Sequence, residues 1–184
     1  MKRCDWAGSE PLMVAYHDEE WGKPVHDDRT LFEFLILEGA QAGLMWKTIL
    51  NKRNGYRKAF HNFDVKKITL YSEKDVQRLM NDASIVRNQL KIRATIKNAK
   101  AFQDIQKEFG SFDNYVWQFV RNKPIISHQK SYKAFPTTTK ESDELSKDLK
   151  KRGMTFVGST IMYAFMQAVG LVNDHTSDCF CKKS

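Results

Sequence analysis

Four potential metal ligands at the two ends of the chain constrain its fold more than any other feature. Cys4 and His17 have the spacing Cys-x12-His, and His175 and Cys179 have the spacing His-x3-Cys. Two thiolates and two imidazoles can complete a tetrahedral shell around one zinc ion, and a closed shell is typical of a structural site. The sequence therefore predicts that one zinc ion joins the N-terminal segment to the C-terminal segment.

A second interpretation of these residues stays open at this point. Three cysteines and five histidines in 184 residues can be scattered by chance, and a single cysteine is most often a small buried hydrophobic residue. Cys181 is a further thiol that could replace Cys179, because His-x5-Cys also fits zinc spacing. The other histidines have no partner at such a spacing and are interpreted as surface or capping residues: His26, His61 and His128.

Composition indicates a basic globular domain. The chain is 41% hydrophobic, which is ample for a core, and no apolar run approaches the roughly 18 residues of a transmembrane helix. Its 30 Lys and Arg exceed its 22 Asp and Glu, which favours a polyanion such as nucleic acid or a phospholipid surface. The membrane is the weaker choice because no long basic tail or amphipathic anchor is present. The start lacks the apolar region of a secretory signal, and three cysteines suit thiols or metal, so we expect a cytoplasmic protein.

Apolar residues recur at helical spacing along most of the chain, and no alternating strand pattern persists. The stretch 127–139 is polar and turn-rich and is expected to be a linker or a crossing loop. The predicted fold class is all-α, with one domain over 1–184 that consists of two helical lobes sharing a cleft. Helices are predicted after Asp27–Asp28, over 44–53, after a capping box at Ser72, over 90–108, over 112–120, after Ser142 and after Gly158.

The last two predicted helices are joined by a short hairpin with a glycine at each end, Gly153 and Gly158. Glycine lets the backbone approach a phosphate closely, and the N–H groups that begin the second helix point towards it. We interpret the segment 142–170 as a helix-hairpin-helix that clamps DNA phosphates without reading sequence. An ordinary αα-hairpin is the alternative. Three basic residues precede the hairpin and add charge: Lys150, Lys151 and Arg152.

A carboxylate and several aromatic residues form a second pattern. Glu38 follows four apolar residues in a predicted helix, and a carboxylate at an apolar edge needs a partner or a ligand. Trp46 follows a Gly- and Ala-rich bend, and Tyr16 adjoins His17. Aromatic rings around one carboxylate suit a flat cationic ring as ligand. Tryptophans are more often core residues, and that alternative stays open for Trp6, Trp21 and Trp46.

These segments together resemble one family, 3-methyladenine DNA glycosylase I of the helix-hairpin-helix superfamily. Five blocks in the same order, together with Cys179 after the last of them, extend from residue 3 to residue 179, which is nearly the whole chain. The blocks are Arg3-Cys4-x-Trp6, Ala15-Tyr16-His17-Asp18-x-Glu20-Trp21-Gly22, Leu37-Glu38-Gly39-x-Gln41-Ala42-Gly43-Leu44-x-Trp46, Lys150-Lys151-Arg152-Gly153-x-x-Phe156-Val157-Gly158 and Gly170-Leu171-Val172-Asn173-Asp174-His175.

The resemblance implies an all-helical glycosylase whose termini meet at a structural zinc. It implies a monomer that flips 3-methyladenine out of double-stranded alkylated DNA and removes it in base excision repair, with 3-methylguanine as a second candidate substrate. The implied zinc ligands are Cys4, His17, His175 and Cys179. The implied base pocket comprises Glu38, Tyr16 and Trp46 with Trp6 and Trp21 nearby, and the residues that wedge into the duplex are Gln41 and Leu44.

Several positions bear on the reaction type. Thr160 stands where bifunctional relatives have a lysine nucleophile, so we expect hydrolysis without strand cleavage. Asp174 is the nearest candidate for the catalytic Asp that most glycosylases of the superfamily place after the hairpin, but its spacing of 16 residues from Gly158 is short. The alternative interpretation is that Asp174 orients the imidazole of His175. Met13 stands where the family often has a tyrosine, and the tail 182–184 has no evident role.

The alternative function is a non-catalytic, zinc-stapled helical module that binds DNA. Such a module predicts no buried carboxylate and no cavity beside Tyr16 and Trp46. A zinc hydrolase is the third hypothesis. It requires an open coordination position on the zinc ion, and four N and S ligands leave none.

Overall fold

Most of the backbone is helical in the computed structural model, which describes residues 1–182, so the all-α prediction is confirmed. Lys183 and Ser184, in the predicted tail, lie outside the described residues. Over 1–182, no helix is both long and apolar enough to cross a membrane. The described α-helices are α1 Pro11–Glu19, α2 Asp28–Gln41, α3 Trp46–Ala59, α4 Val65–Ile68, α5 Glu73–Met80, α6 Gln89–Phe109, α7 Phe112–Trp117, α8 Lys140–Lys151 and α9 Ser159–Ala168.

Side-chain caps fix several helix starts. Asp27 accepts a hydrogen bond of 2.9 Å from the backbone N–H of Thr30 and caps α2, as predicted. The prediction that Ser142 caps α8 is wrong. Thr139 is the N-cap, and Ser142 is its partner three residues later, with Oγ accepting from the Thr139 N–H at 2.8 Å. The sequence Thr-x-x-Ser forms a capping box with serine in place of the usual Glu or Gln, so the helix begins earlier than expected.

Two further differences from the sequence-based expectation have physical causes. α3 continues to Ala59, well past the predicted end at residue 53. Gly55 lies inside this helix and does not end it; its missing side chain allows a close contact with Ser84. A Cβ atom at Gly55 would lie 2.3 Å from the carbonyl oxygen of Ser84. Two strands, β1 Ile125–Ile126 and β2 Val172–Asn173, pair in parallel. Strands of two residues are too short to show an alternating pattern, so they could not be predicted from the sequence.

Helix α2 lies at the centre of the fold and contacts α3, α6, α7 and α9. Its residues from Leu31 to Ala40 are all buried, so the helix is covered on every side. Each fully buried Leu, Ile or Phe side chain contributes about 1.5–3 kcal/mol relative to exposure. Because no face of this segment meets solvent, its two carboxylates, Glu33 and Glu38, are carried into the interior with the apolar residues.

Helices α8 and α9 lie in the segment predicted as a helix-hairpin-helix, and they pack against each other and, through α9, against α2. Gly153, with φ +89°, ends α8, and the N–H of Met154 bonds back to the carbonyl of Leu149 at 2.9 Å. Asn98 of α6 fixes the hairpin, because its amide donates to the Thr155 carbonyl and accepts from the Thr155 N–H, both at 2.9 Å.

The hairpin touches the centre of the fold at one glycine. A Cβ atom at Gly39 of α2 would lie 3.3 Å from both Cβ and the carbonyl oxygen of Phe156. The absence of a side chain at Gly39 therefore lets the hairpin rest directly on the turn of α2 that follows Glu38.

Candidate active site

A cavity of about 240 Å³ opens between α1, α2, α3 and α9. This volume is below the roughly 300–1,000 Å³ of sites for drug-sized ligands, and it suits a single flat ring system. The cavity is walled mainly by aromatic side chains and contains one carboxylate. Its lining residues are Trp6, Tyr16, Trp21, Glu38, Gln41, Trp46, Tyr132, Phe135, Ala164 and Gln167.

Glu38 places its carboxyl group in this cavity although the residue is 4% exposed. Burial alone raises the pKa of Glu38 from 4.5 to about 8. Within residues 1–182 the carboxyl group has no hydrogen-bond donor that would offset its desolvation. A buried carboxyl group without a partner is costly to ionise, so it is prepared for a ligand that brings positive charge or N–H donors.

Aromatic rings surround the carboxyl group. The ring centroids of Tyr16 and Trp46 lie 5.3 Å apart, and those of Trp6 and Trp21 lie 4.7 Å apart at 70°. Burial and the nearby charge of Glu38 raise the pKa of Tyr16, which keeps its phenol neutral. The indole nitrogens of Trp6 and Trp46 are buried, and neither bonds to a described residue. The alternative that these tryptophans only fill the core is therefore incomplete, because their rings also line a cavity.

The four predicted metal ligands meet in one buried cluster, and their donor atoms all lie within 4.8 Å of one another. The sulfur of Cys179 lies 3.5 Å from Nε2 of His17 and 3.4 Å from Nδ1 of His175, and the sulfur of Cys4 lies 3.7 Å from the same Nδ1. A tetrahedral zinc with ordinary bond lengths separates its S and N ligands by about 3.5 Å. The cluster therefore fits a tetrahedral metal ion.

The second nitrogen of each imidazole is held by the protein. Nδ1 of His17 bonds to Asp18 at 2.7 Å, and Arg3 fixes that carboxylate from the other side. Nε2 of His175 lies 3.0 Å from the carbonyl of Trp21. Such outer contacts orient metal-binding imidazoles. Burial lowers the pKa of His175 to about 4, so its ring is neutral, as a metal ligand requires.

The structure also separates Cys181 from the cluster. Its sulfur groups with His17 and Asp18 but not with Cys4 or His175. Cys179, by contrast, is within reach of both imidazoles. The geometry therefore favours Cys179 over Cys181 as the fourth ligand.

Asp174 lies elsewhere than the sequence interpretation placed it. The imidazole of His175 bonds to the Trp21 carbonyl, whereas Oδ2 of Asp174 accepts hydrogen bonds from the hydroxyl of Tyr163 and from Nε2 of Gln167. The interpretation that Asp174 orients the His175 ring is therefore wrong. The side chain points towards α9 because its neighbour His175 occupies the side that faces the cysteines.

The bend between α2 and α3 carries the predicted wedge. Gln41 lines the cavity, and Leu44 is 39% exposed at the surface beside it. Lys91 of α6 fixes the bend, because its Nζ donates hydrogen bonds of 2.7 Å to the carbonyls of Ala40 and Ala42. The ammonium group of Lys91 provides hydrogen-bond donors for carbonyl groups at the C-terminal end of α2. Its positive charge also interacts favourably with the negative end of the helix dipole.

The basic residues before the hairpin differ in their surroundings. Lys151 is exposed, and no ion pair links it to the described part of the chain. Arg152 is turned towards the protein, where it bonds to Asp148 and Glu108, each at 2.6 Å. Its guanidinium also lies over the rings of Phe109 and Tyr115. Of Lys151 and Arg152, Lys151 is therefore the residue whose charge is available to contact a phosphate.

Sequence reasoning missed four residues of the cavity wall. Phe135 and Tyr132 come from the segment expected to be a linker, where an aromatic residue just before Pro136 was a usable signal. Gln167 and Ala164 come from α9, and Gln167 is a polar residue in an otherwise apolar stretch. The pocket residues that were predicted from the sequence all line the cavity: Tyr16, Trp46, Trp6, Trp21 and Glu38.

Comparison with known proteins gives a consistent result. A family model described as methyladenine glycosylase matches residues 6–182. The chain is 50% identical over 181 residues to DNA-3-methyladenine glycosylase 1 of Escherichia coli (strain K12), covering 98% of this chain and 97% of that one. It is 47% identical over 182 residues to DNA-3-methyladenine glycosylase of Haemophilus influenzae, covering 99% and 98%.

Solved structures agree. The crystal structure of a 3-methyladenine DNA glycosylase I matches with a TM-score of 0.97 at 50% identity, over 99% of this chain and 100% of that one. A structure that describes 3-methyladenine recognition by the glycosylase I of Staphylococcus aureus matches with a TM-score of 0.96 at 34% identity, over 100% and 98%.

Proposed function

The chain belongs to the methyladenine glycosylase family, and from this premise we propose that it removes 3-methyladenine from alkylated DNA in base excision repair. The observation that carries the proposal is the buried carboxyl group of Glu38, which has an aromatic cavity around it and no partner among the described residues. A non-catalytic DNA-binding module needs neither feature, so the alternative function is not favoured.

The proposed reaction begins with extrusion of the damaged nucleotide from the duplex. Extrusion costs a few kcal/mol, which contacts to the DNA backbone must offset. The first turn of α9 has free N–H groups for a phosphate, because its N-cap, Gly158, has no side chain to occupy them. Lys151 adds charge beside the hairpin, and Gln41 and Leu44 are proposed to fill the space that the extruded base leaves.

The cavity then selects the base by its charge. Methylation at N3 makes adenine a cation, and Tyr16 and Trp46 can stack on such a ring, worth about 0.5–2 kcal/mol. A cation beside Glu38 also lowers the cost of ionising its carboxyl group. We propose that Glu38 releases its proton to solvent water when the base binds and then accepts a hydrogen bond from the exocyclic amine.

The chemistry that follows needs little acid catalysis. The C1′–N9 bond breaks, and its electron pair neutralises the cationic base, which leaves as free 3-methyladenine. The sugar becomes an oxocarbenium ion, and water adds at C1′ and loses a proton. Glu38 is the proposed catalytic residue, because an ionised carboxylate in a dry cavity stabilises positive charge on the sugar. Thr160 offers no amine for a Schiff base, which supports simple hydrolysis.

We also propose that the ion in the Cys4, His17, His175 and Cys179 cluster is zinc. The donor set of two sulfurs and two nitrogens suits zinc, and four ligands leave no position for substrate. The ion then fixes the chain termini and takes no part in the reaction. Elemental analysis of purified protein should give one zinc per chain.

The proposed setting is a monomer that acts on double-stranded DNA in the cytoplasm. Cys4, Cys179 and Cys181 form no disulfide with one another, and cysteines kept as thiols or as metal ligands suit a reducing compartment. Light scattering should give the mass of one chain, 21.4 kDa.

A direct test of the proposed reaction uses a duplex with a labelled, methylated strand. The account predicts release of free base and an intact strand that breaks only after alkali treatment. Borohydride should trap no covalent complex. Trapping, or strand cleavage without alkali, would show a lyase and contradict simple hydrolysis.

A further inference from the structure

Gln167 interrupts the apolar surface of α9 and lines the cavity together with Ala164, about one turn earlier. Its Nε2 donates a hydrogen bond of 2.6 Å to Oδ2 of Asp174. Asp174 is 1% exposed, and the same oxygen accepts a hydrogen bond from the hydroxyl of Tyr163. A buried carboxyl group requires such donors, so the side chain of Gln167 is held in one orientation at the cavity wall.

That hydrogen bond decides which end of the Gln167 amide is free. The oxygen and nitrogen of a glutamine amide are assigned from their partners, and an oxygen that already accepts from Tyr163 requires an N–H from Gln167. Oε1 of Gln167 bonds to no other described residue, and the side chain is partly exposed. Because Gln167 lines the cavity, its unpaired amide oxygen is a candidate neutral acceptor there, in addition to the carboxyl group of Glu38.

We propose that Gln167 is a specificity-determining residue whose Oε1 accepts a hydrogen bond from the exocyclic amine of the extruded base. This inference rests on the proposed function. The amine of 3-methyladenine has two N–H bonds, so Glu38 and Gln167 can accept one each. 3-Methylguanine has a carbonyl oxygen at that position, which would face Oε1 acceptor to acceptor. A site built to bind an N–H rejects an analogue that lacks it.

In this account Asp174 is a positioning residue that acts through Gln167. It does not touch the base, and its contribution is to keep the amide from turning its N–H end into the cavity. The amine edge of the base is thereby recognised by two acceptors, of which the carboxyl group of Glu38 can carry a charge and the amide of Gln167 cannot.

Gln167→Met and Tyr163→Phe form a matched pair for the test. Each removes one hydrogen bond to Oδ2 of Asp174, but only Gln167 lines the cavity. Both should lower thermal stability to a similar extent, and only Gln167→Met should alter base recognition. The measurements are the melting temperature, kcat and KM for release from methylated DNA, and quenching of tryptophan fluorescence by free 3-methyladenine.

The expected result is a roughly five- to tenfold weaker affinity for free 3-methyladenine in Gln167→Met, the loss of one hydrogen bond. Its preference for 3-methyladenine over 3-methylguanine should fall by a similar factor, while Tyr163→Phe keeps the wild-type values. Equal losses in both variants, or an unchanged affinity in Gln167→Met, would overturn the assignment. A folded wild type that neither binds nor releases 3-methyladenine would instead reject the proposed function, and the role of Gln167 with it.

Discussion

Tyr16 and His17 are neighbours on α1 that serve two different sites. The ring of Tyr16 lies 5.3 Å from that of Trp46 in the cavity wall, whereas Nε2 of His17 lies 3.5 Å from the sulfur of Cys179. Successive residues of a helix point about 100° apart, so a single turn presents one side chain to each site. The position of the cavity wall is therefore linked to the cluster of Cys4, His17, His175 and Cys179, and we expect the two sites to fail together.

Removal of the metal should lower stability and activity in parallel. Burial raises the pKa of the Cys4 thiol to about 11, so the cluster needs a cation to hold thiolates. Circular dichroism melts and base release, followed over a chelator titration, should decline together and recover with zinc. Chelated protein that keeps its melting temperature but loses base release would contradict a purely structural role.

A pair of cysteine variants provides the control. Cys179→Ser removes a proposed ligand and should lose zinc, whereas Cys181→Ser should retain one zinc per chain. Loss of zinc from Cys181→Ser would show that the ligand set is wrong.

Glu38→Gln should stabilise the free protein increasingly as pH rises from about 5 to 8. Burial raises the pKa of Glu38 from 4.5 to about 8, so between these values the folded state holds a proton that the unfolded state has released. The wild type therefore loses stability through this window, by a few kcal/mol at its upper end. Thermal melts of both proteins across the range measure the difference.

Glu33→Gln is the control, because this second carboxylate of α2 is also buried but bonds to Arg53 and Arg57. Its replacement should lower stability at neutral pH by leaving the arginines without their partner. A stabilisation by Glu38→Gln that does not vary with pH would contradict the assigned cause.

The ring of Tyr16, rather than its hydroxyl group, should matter for base binding. Tyr16→Phe keeps the ring and should bind free 3-methyladenine as the wild type does. Free 3-methyladenine is neutral, so Tyr16→Leu removes an aromatic stacking contact of about 0.5–1.5 kcal/mol, which corresponds to a roughly two- to thirteenfold weaker affinity. Fluorescence titration measures both. Equal losses in the two variants would instead assign the contribution to the hydroxyl.

Lys151→Ala should weaken binding to undamaged duplex and reduce the slope of log affinity against log salt by about one. Lys140→Ala is the matched control, because Lys140 begins the same helix and its removal changes the charge equally. Titrations of labelled duplex at several salt concentrations give the slope. An equal effect of both variants would remove the case for a contact beside the hairpin.

Arg152→Ala should instead act on stability. Its side chain is 23% exposed and bonds to Asp148 and Glu108 while lying over two aromatic rings. Loss of these contacts should cost about 1–3 kcal/mol in urea unfolding. If Arg152→Ala instead leaves stability unchanged and weakens DNA binding, Arg152 contacts DNA, and its assignment to stability is wrong.

The sequence predicted best where one local rule decides the outcome. The helical spacing of apolar residues predicted most of the helices. The ligand chemistry of Cys and His predicted a cluster of four side chains, which is confirmed although Cys4 and Cys179 lie at opposite ends of the chain. The burial of Glu38 also followed from its apolar neighbours in α2.

The remaining features depend on contacts between distant segments. Phe135 enters the cavity wall from a loop that begins at β1, and β1 is placed only by its pairing with β2. Asp174 and Gln167 are seven residues apart, yet their hydrogen bond depends on how α9 and β2 are arranged. No local pattern contains that information, and the ion pair of Arg152 with Glu108 was hidden for the same reason, whereas its second partner, Asp148, lies only four residues away on α8.

The role of Glu38 is tested by comparing wild type with Glu38→Gln in the release of free bases from methylated DNA, resolved by chromatography. We expect the wild type to release 3-methyladenine and leave 7-methylguanine in the DNA, and Glu38→Gln to bind the same DNA but release little or none. Full release by a folded Glu38→Gln, or no release by folded, zinc-loaded wild type, would contradict the account.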